Sequence, residues 1–133
     1  MNASNKILMR DGLINVGGLG LFGLLYPGPG RAIDVIAFAA SALLFALLHY
    51  LSEHRGFPEG LYDLSDYLRE RLLVAVGVTV LAASALLAPL YLYPELALQY
   101  FYDGVIGLYA GSLGYRIVYG VLRPVPERAR ARA

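Results

Sequence analysis

Long apolar stretches alternate along the chain with short polar or turn-forming segments. The last stretch, residues 96–122, holds 27 residues with a single acid and a single base. A helix rises about 1.5 Å per residue, so a helix of this length exceeds the roughly 30 Å hydrocarbon core of a bilayer. Residues 12–26, 32–51 and 72–92 form three further apolar stretches. The pattern predicts an all-α polytopic membrane bundle of four short transmembrane helices, arranged as two hairpins.

The first apolar stretch is the shortest of the four. Residues 12–26 include five glycines, which lower helix propensity. If this stretch crosses the membrane, we expect it to pack against neighbouring helices. Residues 27–30 predict a turn because they alternate proline and glycine. Residues 1–11 are interpreted as a polar tail that stays in the mature chain, because no small-x-small cleavage site follows the apolar core.

The polar segment at residues 52–71 separates the two predicted hairpins. Within it Leu61, Leu64, Leu68 and Leu72 recur at three- and four-residue spacing. Such spacing places the leucines on one face of a helix and the charged residues elsewhere. The segment therefore predicts an amphipathic helix at the membrane interface, from about Leu61 to Arg71.

The placement of basic residues predicts the orientation in the membrane. With four spans, nine of the ten bases outside the spans lie on one side: Lys6, Arg10, Arg55, Arg69, Arg71, Arg123, Arg128, Arg130 and Arg132. The opposite side holds Arg31. Because basic loops stay in the cytoplasm, both termini are expected there, including the basic, proline-broken tail at residues 123–133.

Composition agrees with a membrane protein of one domain covering residues 1–133. The chain is 58% hydrophobic and 16% charged, whereas about a quarter of the residues of soluble domains are charged. It has no cysteine, which excludes disulfides and thiol chemistry. Ten arginines accompany one lysine. Few thermolabile residues are present, a trait of thermophile proteins, but a GC-rich genome explains the arginines equally well.

Asp103 and Arg116 are the charged residues within the last predicted span. A charge at membrane depth costs about 2.5 to 3.5 kcal/mol on insertion scales, so such groups need a partner, a water-filled path or a position near the interface. Thirteen residues separate them, nearly 20 Å along a helix, and they cannot pair with each other. Their partners must lie on other helices or subunits, unless each reaches a headgroup region.

The same span carries glycines at helix-association spacing. Asp103, Gly107, Gly111 and Gly114 fall on one side of the helix. Small residues allow close backbone approach between membrane helices. This face is the predicted helix-packing surface, with the third span as its expected partner within the chain.

Other candidate chemistry is sparse. A metal site built from His49, His54, Asp63 and Asp66 is not expected, because their spacing matches no standard ligand pattern. No phosphate loop, nucleophile elbow or zinc-protease motif occurs. The tyrosines near predicted span ends are typical of an aromatic belt. We therefore expect no catalytic residues, no metal and no cofactor.

Three resemblances suggest alternatives. The segment GLYDLSDY, containing Asp66 and Tyr67, resembles the quinone-proximal region of succinate dehydrogenase membrane anchors. That resemblance implies a quinone near this pair and a haem-ligating histidine upstream, where His54 stands, although Gly56 and Pro58 interrupt the helix that it requires. The layout is also similar to small polyprenyl-sugar-associated membrane proteins, and to the apolar hairpin proteins of conjugation-type pili and archaeal viral coats.

These observations favour a non-enzymatic helix-packing subunit of a larger membrane or filamentous assembly. The expected partners are the lipid bilayer and further copies or other membrane subunits. No small-molecule substrate is evident, and nucleic acid is not an expected partner. The alternatives are a small transporter or channel with a polar path at Asp103 and Arg116, a pilin-like or viral coat hairpin protein, and a quinone-binding anchor.

Overall fold

The computed structural model describes residues 2–26, 32–57, 61–92 and 94–133. These ranges contain helices and turns and no strand, so the predicted all-helical class is confirmed. The helices are α1 (Ala3–Leu25), α2 (Ala32–Arg55), α3 (Leu61–Arg69), α4 (Leu72–Leu92), α5 (Ala97–Ile117) and α6 (Glu127–Arg132). A 3-10 turn at Pro94–Leu96 precedes α5, and a π-helical turn at Val118–Leu122 follows it. The predicted proline-glycine turn at residues 27–30 lies outside the described residues.

Three helices in the described ranges are long and apolar enough to cross a membrane. They are α1, α2 and the run Ala97–Leu122 that joins α5 to the π-helical turn. The helix α4 covers 21 residues of the third predicted span. The chain divides into two compact units, and the single domain expected from the sequence stays a prediction. The first unit is Met1–Gly56 with Gln99–Ala133, and the second unit is Phe57–Leu98.

The helix α1 begins earlier than the sequence predicts. Residues 3–11, expected as a polar tail, are helical, because the side chain of Asn2 caps the helix by accepting a hydrogen bond from the Asn5 amide at 2.8 Å. Ile7 is buried against Val125 and Ala129, which gives this first part of the helix a packing partner. With 23 residues α1 reaches the length of a membrane span despite its glycines.

In the first unit α1 runs antiparallel to α5. Tyr26, at the end of α1, bonds to Asp103, near the start of α5, and Asp11, early in α1, bonds to Arg116, near the end of α5. Between them, Gly18 of α1 lies against the ring of Tyr109. Contacts that lie earlier along α1 lie later along α5, so the two helices are antiparallel.

The helix α2 runs parallel to α5. Ser41 donates a hydrogen bond to the carbonyl oxygen of Gly104 at 2.6 Å, and near the other end Glu53 pairs with Arg116. Because both pairs advance in the same chain direction, α2 and α5 begin at the same end of the first unit. α2 ends at Arg55, and the Gly56 that follows has a φ of 71°, in the left-handed region that favours glycine at helix ends.

The predicted basic tail contains a short helix that packs on the first unit. α6 lies against α1 and α2. Val125 and Ala129 are buried with Ile7, and the guanidinium of Arg132 donates to the Ser52 hydroxyl at 3.2 Å. These contacts close the end of the unit at which α1 begins and α2 ends.

The second unit contains α3, α4 and the 3-10 turn. α3 confirms a helix in the predicted amphipathic segment, ending two residues earlier than expected. Arg71 follows it, with its guanidinium 4.1 Å from the centre of the Tyr67 ring. In α4 most of the described side chains are apolar and exposed, among them Leu72, Leu73 and Leu81.

Candidate functional site

The first unit buries polar side chains and exposes apolar ones, the reverse of a soluble domain. Among the residues that the structure describes, most of the buried ones in this unit are polar: Asn15, Asp34, Ser52, Glu53, Asp103, Ser112 and Arg116. Large apolar side chains of the same unit are exposed, among them Leu13, Leu24, Ile36, Leu43, Leu44 and Phe101. This distribution is typical of helices that meet lipid on the outside and satisfy their polar groups against one another.

Arg116 lies at the centre of a buried ion-pair network that joins α1, α2 and α5. Its Nε atom donates to Oδ2 of Asp11 at 2.8 Å, and its Nη2 atom pairs with Oε1 of Glu53. The side chains of Arg116 and Glu53 are 5% and 4% exposed. Because two carboxylates face one guanidinium at this depth, the network holds three helices together with charge-assisted hydrogen bonds.

Further donors and acceptors complete this network. The Tyr115 hydroxyl donates to Oε2 of Glu53 at 2.6 Å, so both oxygens of that carboxylate are used. Arg116 also donates through Nη1 to the backbone carbonyl of Tyr119 at 3.2 Å. That carbonyl lies in the π-helical turn, where Tyr119 departs from helical geometry with φ of −101° and ψ of 54°. The turn thus supplies a further acceptor for the guanidinium.

Histidine and tyrosine rings extend the network along α2 and α5. His49 Nε2 lies 3.0 Å from the Ser112 hydroxyl oxygen, and the His49 ring stacks on Tyr115 with centroids 5.6 Å apart. One helical turn further, the ring of His54 lies between Tyr50 and Tyr119, at centroid distances of 4.4 and 4.6 Å. Rings at this spacing pack in stacked and edge-on arrangements, which fixes the side chains of both helices.

Asp103 lies in a second polar cluster at the opposite end of the first unit. Its side chain is 1% exposed, and the Tyr26 hydroxyl donates to its Oδ1 atom. Asp34, in the first turn of α2, is 3% exposed and lies within hydrogen-bonding reach of Asp103. The Tyr26 hydroxyl and the carboxyl groups of Asp34 and Asp103 thus form one polar cluster that joins α1, α2 and α5.

Two of the predicted packing glycines lie directly against α2. A Cβ atom added to Gly107 would lie 2.6 Å from the Phe38 carbonyl oxygen, and one added to Gly111 would lie 2.8 Å from the Cα atom of Ala42. Real Cβ atoms do not approach so closely, so only glycine allows this backbone contact. Their partner is α2, which is the second apolar stretch, whereas the sequence predicts the third apolar stretch as the partner. Gly114 is exposed, and an added Cβ would meet no atom within 4 Å.

Asp103 and Arg116 have separate partners, and the predictions did not identify them. The apolar pattern places Asp11 in the predicted polar tail and Glu53 in the predicted polar segment, and neither assignment indicates a partner for Arg116. A usable signal is present in the sequence: an arginine near the end of an apolar span is costly unless it has a partner, and an acid at the same depth can be that partner. Asp11 and Glu53 are the acids that flank the corresponding ends of the first two apolar stretches.

The residues of the quinone-anchor resemblance, Asp66 and Tyr67, both lie on α3. Asp66 is exposed, and the Tyr67 ring contacts Phe57 at a centroid distance of 5.4 Å and the guanidinium of Arg71. Within the described part of the chain, no group of three or more histidine, cysteine or acidic side chains could hold a metal ion.

Comparison of the chain with protein-family models, with curated proteins and with solved structures gives no match.

Proposed function

We propose that this protein is a multi-pass membrane protein with four spans and cytoplasmic termini, and that it acts as a non-enzymatic packing subunit of a larger membrane assembly. The membrane setting is supported by the first unit, whose charges are buried while its leucines are exposed. In lipid, this arrangement lets the buried polar groups bond to one another, and the exposed apolar side chains lie in an apolar solvent.

Four spans are supported by the parallel course of α2 and α5. A chain that leaves α2 on one side of the bilayer has to cross it before it enters α5 on the other side. The segment between them contains α4, a mostly apolar helix of 21 residues whose length matches the hydrocarbon thickness. α3, with its leucine face, then lies on the cytoplasmic surface together with both termini, in line with the distribution of basic residues.

The observation that carries the subunit role is the exposed small-residue stripe on α4, formed by Gly77, Ser84 and Ala88. These residues lie on one helical face, and an added Cβ at Gly77 would meet no atom within 4 Å. The corresponding stripe on α5 is already in contact with α2 through Gly107 and Gly111. We infer that α4 packs against a helix of another copy or another subunit.

A transporter with a polar path from Asp103 to Arg116 is less well supported. Between these two residues, Gly107 and Gly111 bring α5 into backbone contact with α2. A close helix contact of this kind favours a rigid bundle over a water-filled path. The assembly role is therefore the function that these contacts support best.

Native mass spectrometry of the protein released from mild detergent tests the assembly role. We expect a complex of several copies, or a complex with other membrane subunits. Gly77→Leu should dissociate it, because a leucine on the small-residue stripe prevents close helix approach. Gly20→Leu, at an exposed and equally open glycine of α1, should leave the complex intact.

A monomeric wild-type protein that carries ions into liposomes would contradict the assembly role and favour the transporter. A redox-cofactor spectrum in the purified protein would favour the quinone anchor. Dissociation by Gly20→Leu alone would move the contact surface from α4 to α1.

A further inference from the structure

The end of the first unit at which α1 begins and α2 ends carries an excess of positive charge. It is formed by three segments, residues 2–11, 52–56 and 115–133. These segments hold eight basic and three acidic side chains. Arg116 pairs with two of the three acids, Asp11 and Glu53, inside the buried network. The acid that remains is Glu127, which is exposed.

Most of the basic side chains at this end are exposed and have no acid beside them. Five of them form no ion pair with a residue that the structure describes: Lys6, Arg55, Arg123, Arg128 and Arg130. Like charges that share one surface repel one another unless anions neutralise them. This basic end therefore lacks the negative charge that would balance it.

The arginines of α6 are held in place by packing. Val125 and Ala129 are buried against Ile7 of α1, and the guanidinium of Arg128 lies against Gly56, directly after α2. A basic tail needs no such contacts to orient a protein in a membrane, because its charge alone has that effect. A packed helix fixes its arginines relative to the bundle, which lowers the entropy cost of binding an anion there.

Exposed apolar side chains lie directly beside the bases. Leu122 is 73% exposed and precedes Arg123. Met9 is 53% exposed and precedes Arg10, whose side chain is 62% exposed. An anionic phospholipid has acyl chains for the apolar side chains and a phosphate for the bases, whereas a nucleic acid would leave the apolar side chains in water. The boundary between apolar and basic residues therefore favours a lipid headgroup.

We propose that the basic end of the first unit binds the headgroups of anionic phospholipids in the cytoplasmic leaflet. Lipid phosphates supply the missing negative charge, and Arg123, Arg128 and Arg130 donate charge-assisted hydrogen bonds to them. This inference rests on the membrane setting and the cytoplasmic termini proposed above, and it is independent of the assembly role.

Electron spin resonance of spin-labelled lipids tests the proposal in phosphatidylcholine vesicles that contain the full-length protein. Lipids in contact with the protein move more slowly than bulk lipids, so the slow fraction gives the relative affinity of phosphatidylglycerol over phosphatidylcholine. We expect an affinity ratio of about five at low salt, the size of effect that one base near the headgroups provides. The ratio should fall towards one in about 1 M potassium chloride, which screens exposed charges.

A triple variant tests which residues bind the lipid. Arg123→Gln, Arg128→Gln and Arg130→Gln together should remove most of the preference for phosphatidylglycerol. Arg123→Lys, Arg128→Lys and Arg130→Lys together retain the charge and should retain the preference. Glu127→Gln, which removes an exposed acid from the same helix, should not lower it. The elution volume in gel filtration checks the folding of each variant, and the salt dependence of the wild type tests the proposal without any substitution.

Equal affinity for the two lipids, in a wild-type protein that inserts into the vesicles, would overturn the proposal and leave the membrane setting intact. A preference that survives the glutamine triple variant, or that is lost in a folded lysine triple variant, would also overturn it. Equal affinity combined with binding of a DNA oligonucleotide would assign the basic end to nucleic acid. A protein that does not insert into vesicles would contradict the membrane setting itself, and the inference with it.

Discussion

Replacing Glu53 with alanine is expected to lower the free energy of unfolding by about 3 to 5 kcal/mol, the cost of removing one partner from a buried ion pair. Arg116 would remain almost fully buried with Asp11 as its one acidic partner, and the Tyr115 hydroxyl would lose its acceptor. Titration of the protein in mixed micelles with a denaturing detergent measures the loss.

The matched control for Glu53→Ala is Arg10→Ala. Arg10 also forms an ion pair, with Asp11, but its side chain is 62% exposed. An exposed pair contributes about 0 to 1 kcal/mol, so this change should have a small effect. Combining Glu53→Ala with Arg116→Ala should cost less than the sum of the single changes, because each single change leaves a buried group without its partner. Equal losses for Glu53→Ala and Arg10→Ala would show that the network contributes nothing beyond a surface pair.

Adding a single methyl group at Gly111 is the second change with a large expected effect. The new Cβ of Gly111→Ala would collide with the backbone of Ala42, which cannot move aside as a flexible side chain could. Separating α2 from α5 to make room should cost about 1 to 3 kcal/mol, as overpacking of a close contact does, and Gly111→Leu should cost more. Thermal unfolding in detergent measures the destabilisation.

Gly114→Ala is the control for this contact. Gly114 belongs to the predicted packing face, but it is exposed and an added Cβ meets open space. Alanine there should be neutral, or stabilising by up to about 1 kcal/mol through its higher helix propensity. Equal effects of Gly111→Ala and Gly114→Ala would contradict a close approach of α5 to α2 at Gly111.

The helical architecture could be predicted because apolar runs of membrane length are visible in one sequence. The start of α1 could not be predicted, because it depends on contacts with residues that are distant in the sequence. Residues 3–11 look like a polar tail until Ile7 meets Val125 and Ala129, and Asp11 meets Arg116. A helix stabilised by partners about a hundred residues away carries little local signal of its own.

The glycine stripe of α5 could be recognised as a contact surface from the sequence. The helix that packs against it could not. Spacing places Gly107 and Gly111 on one face of α5, and it says nothing about which helix lies opposite. The short connection between the third and fourth apolar stretches suggested α4, because neighbours in sequence are often neighbours in space. The contacts of both glycines with α2 show that chain proximity was the wrong guide here.

The polar cluster of Tyr26, Asp34 and Asp103 shows the same limit. Asp34 at the first turn of a helix and Tyr26 before a turn each have an ordinary local explanation, as a helix cap and as a belt residue. They join Asp103 because α2 begins, and α1 ends, at the level where α5 begins. That coincidence follows from the parallel and antiparallel courses of the three helices.

Cysteine labelling in sealed vesicles is the most direct test of the central claim, that this is a four-span membrane protein with an apolar outer surface. The chain has no cysteine, so single cysteines can be placed at Asn5, Ser65, Glu95 and Leu44, all of which are exposed. A membrane-impermeant maleimide should reach the first two from the cytoplasmic side and Glu95 from the opposite side. Leu44, on the apolar surface of α2, should stay unlabelled until the protein is denatured. Labelling of the cysteine at position 44 before denaturation would contradict the apolar outer surface in lipid. Labelling of the cysteine at position 95 from the same side as the cysteine at position 65 would contradict the four-span topology.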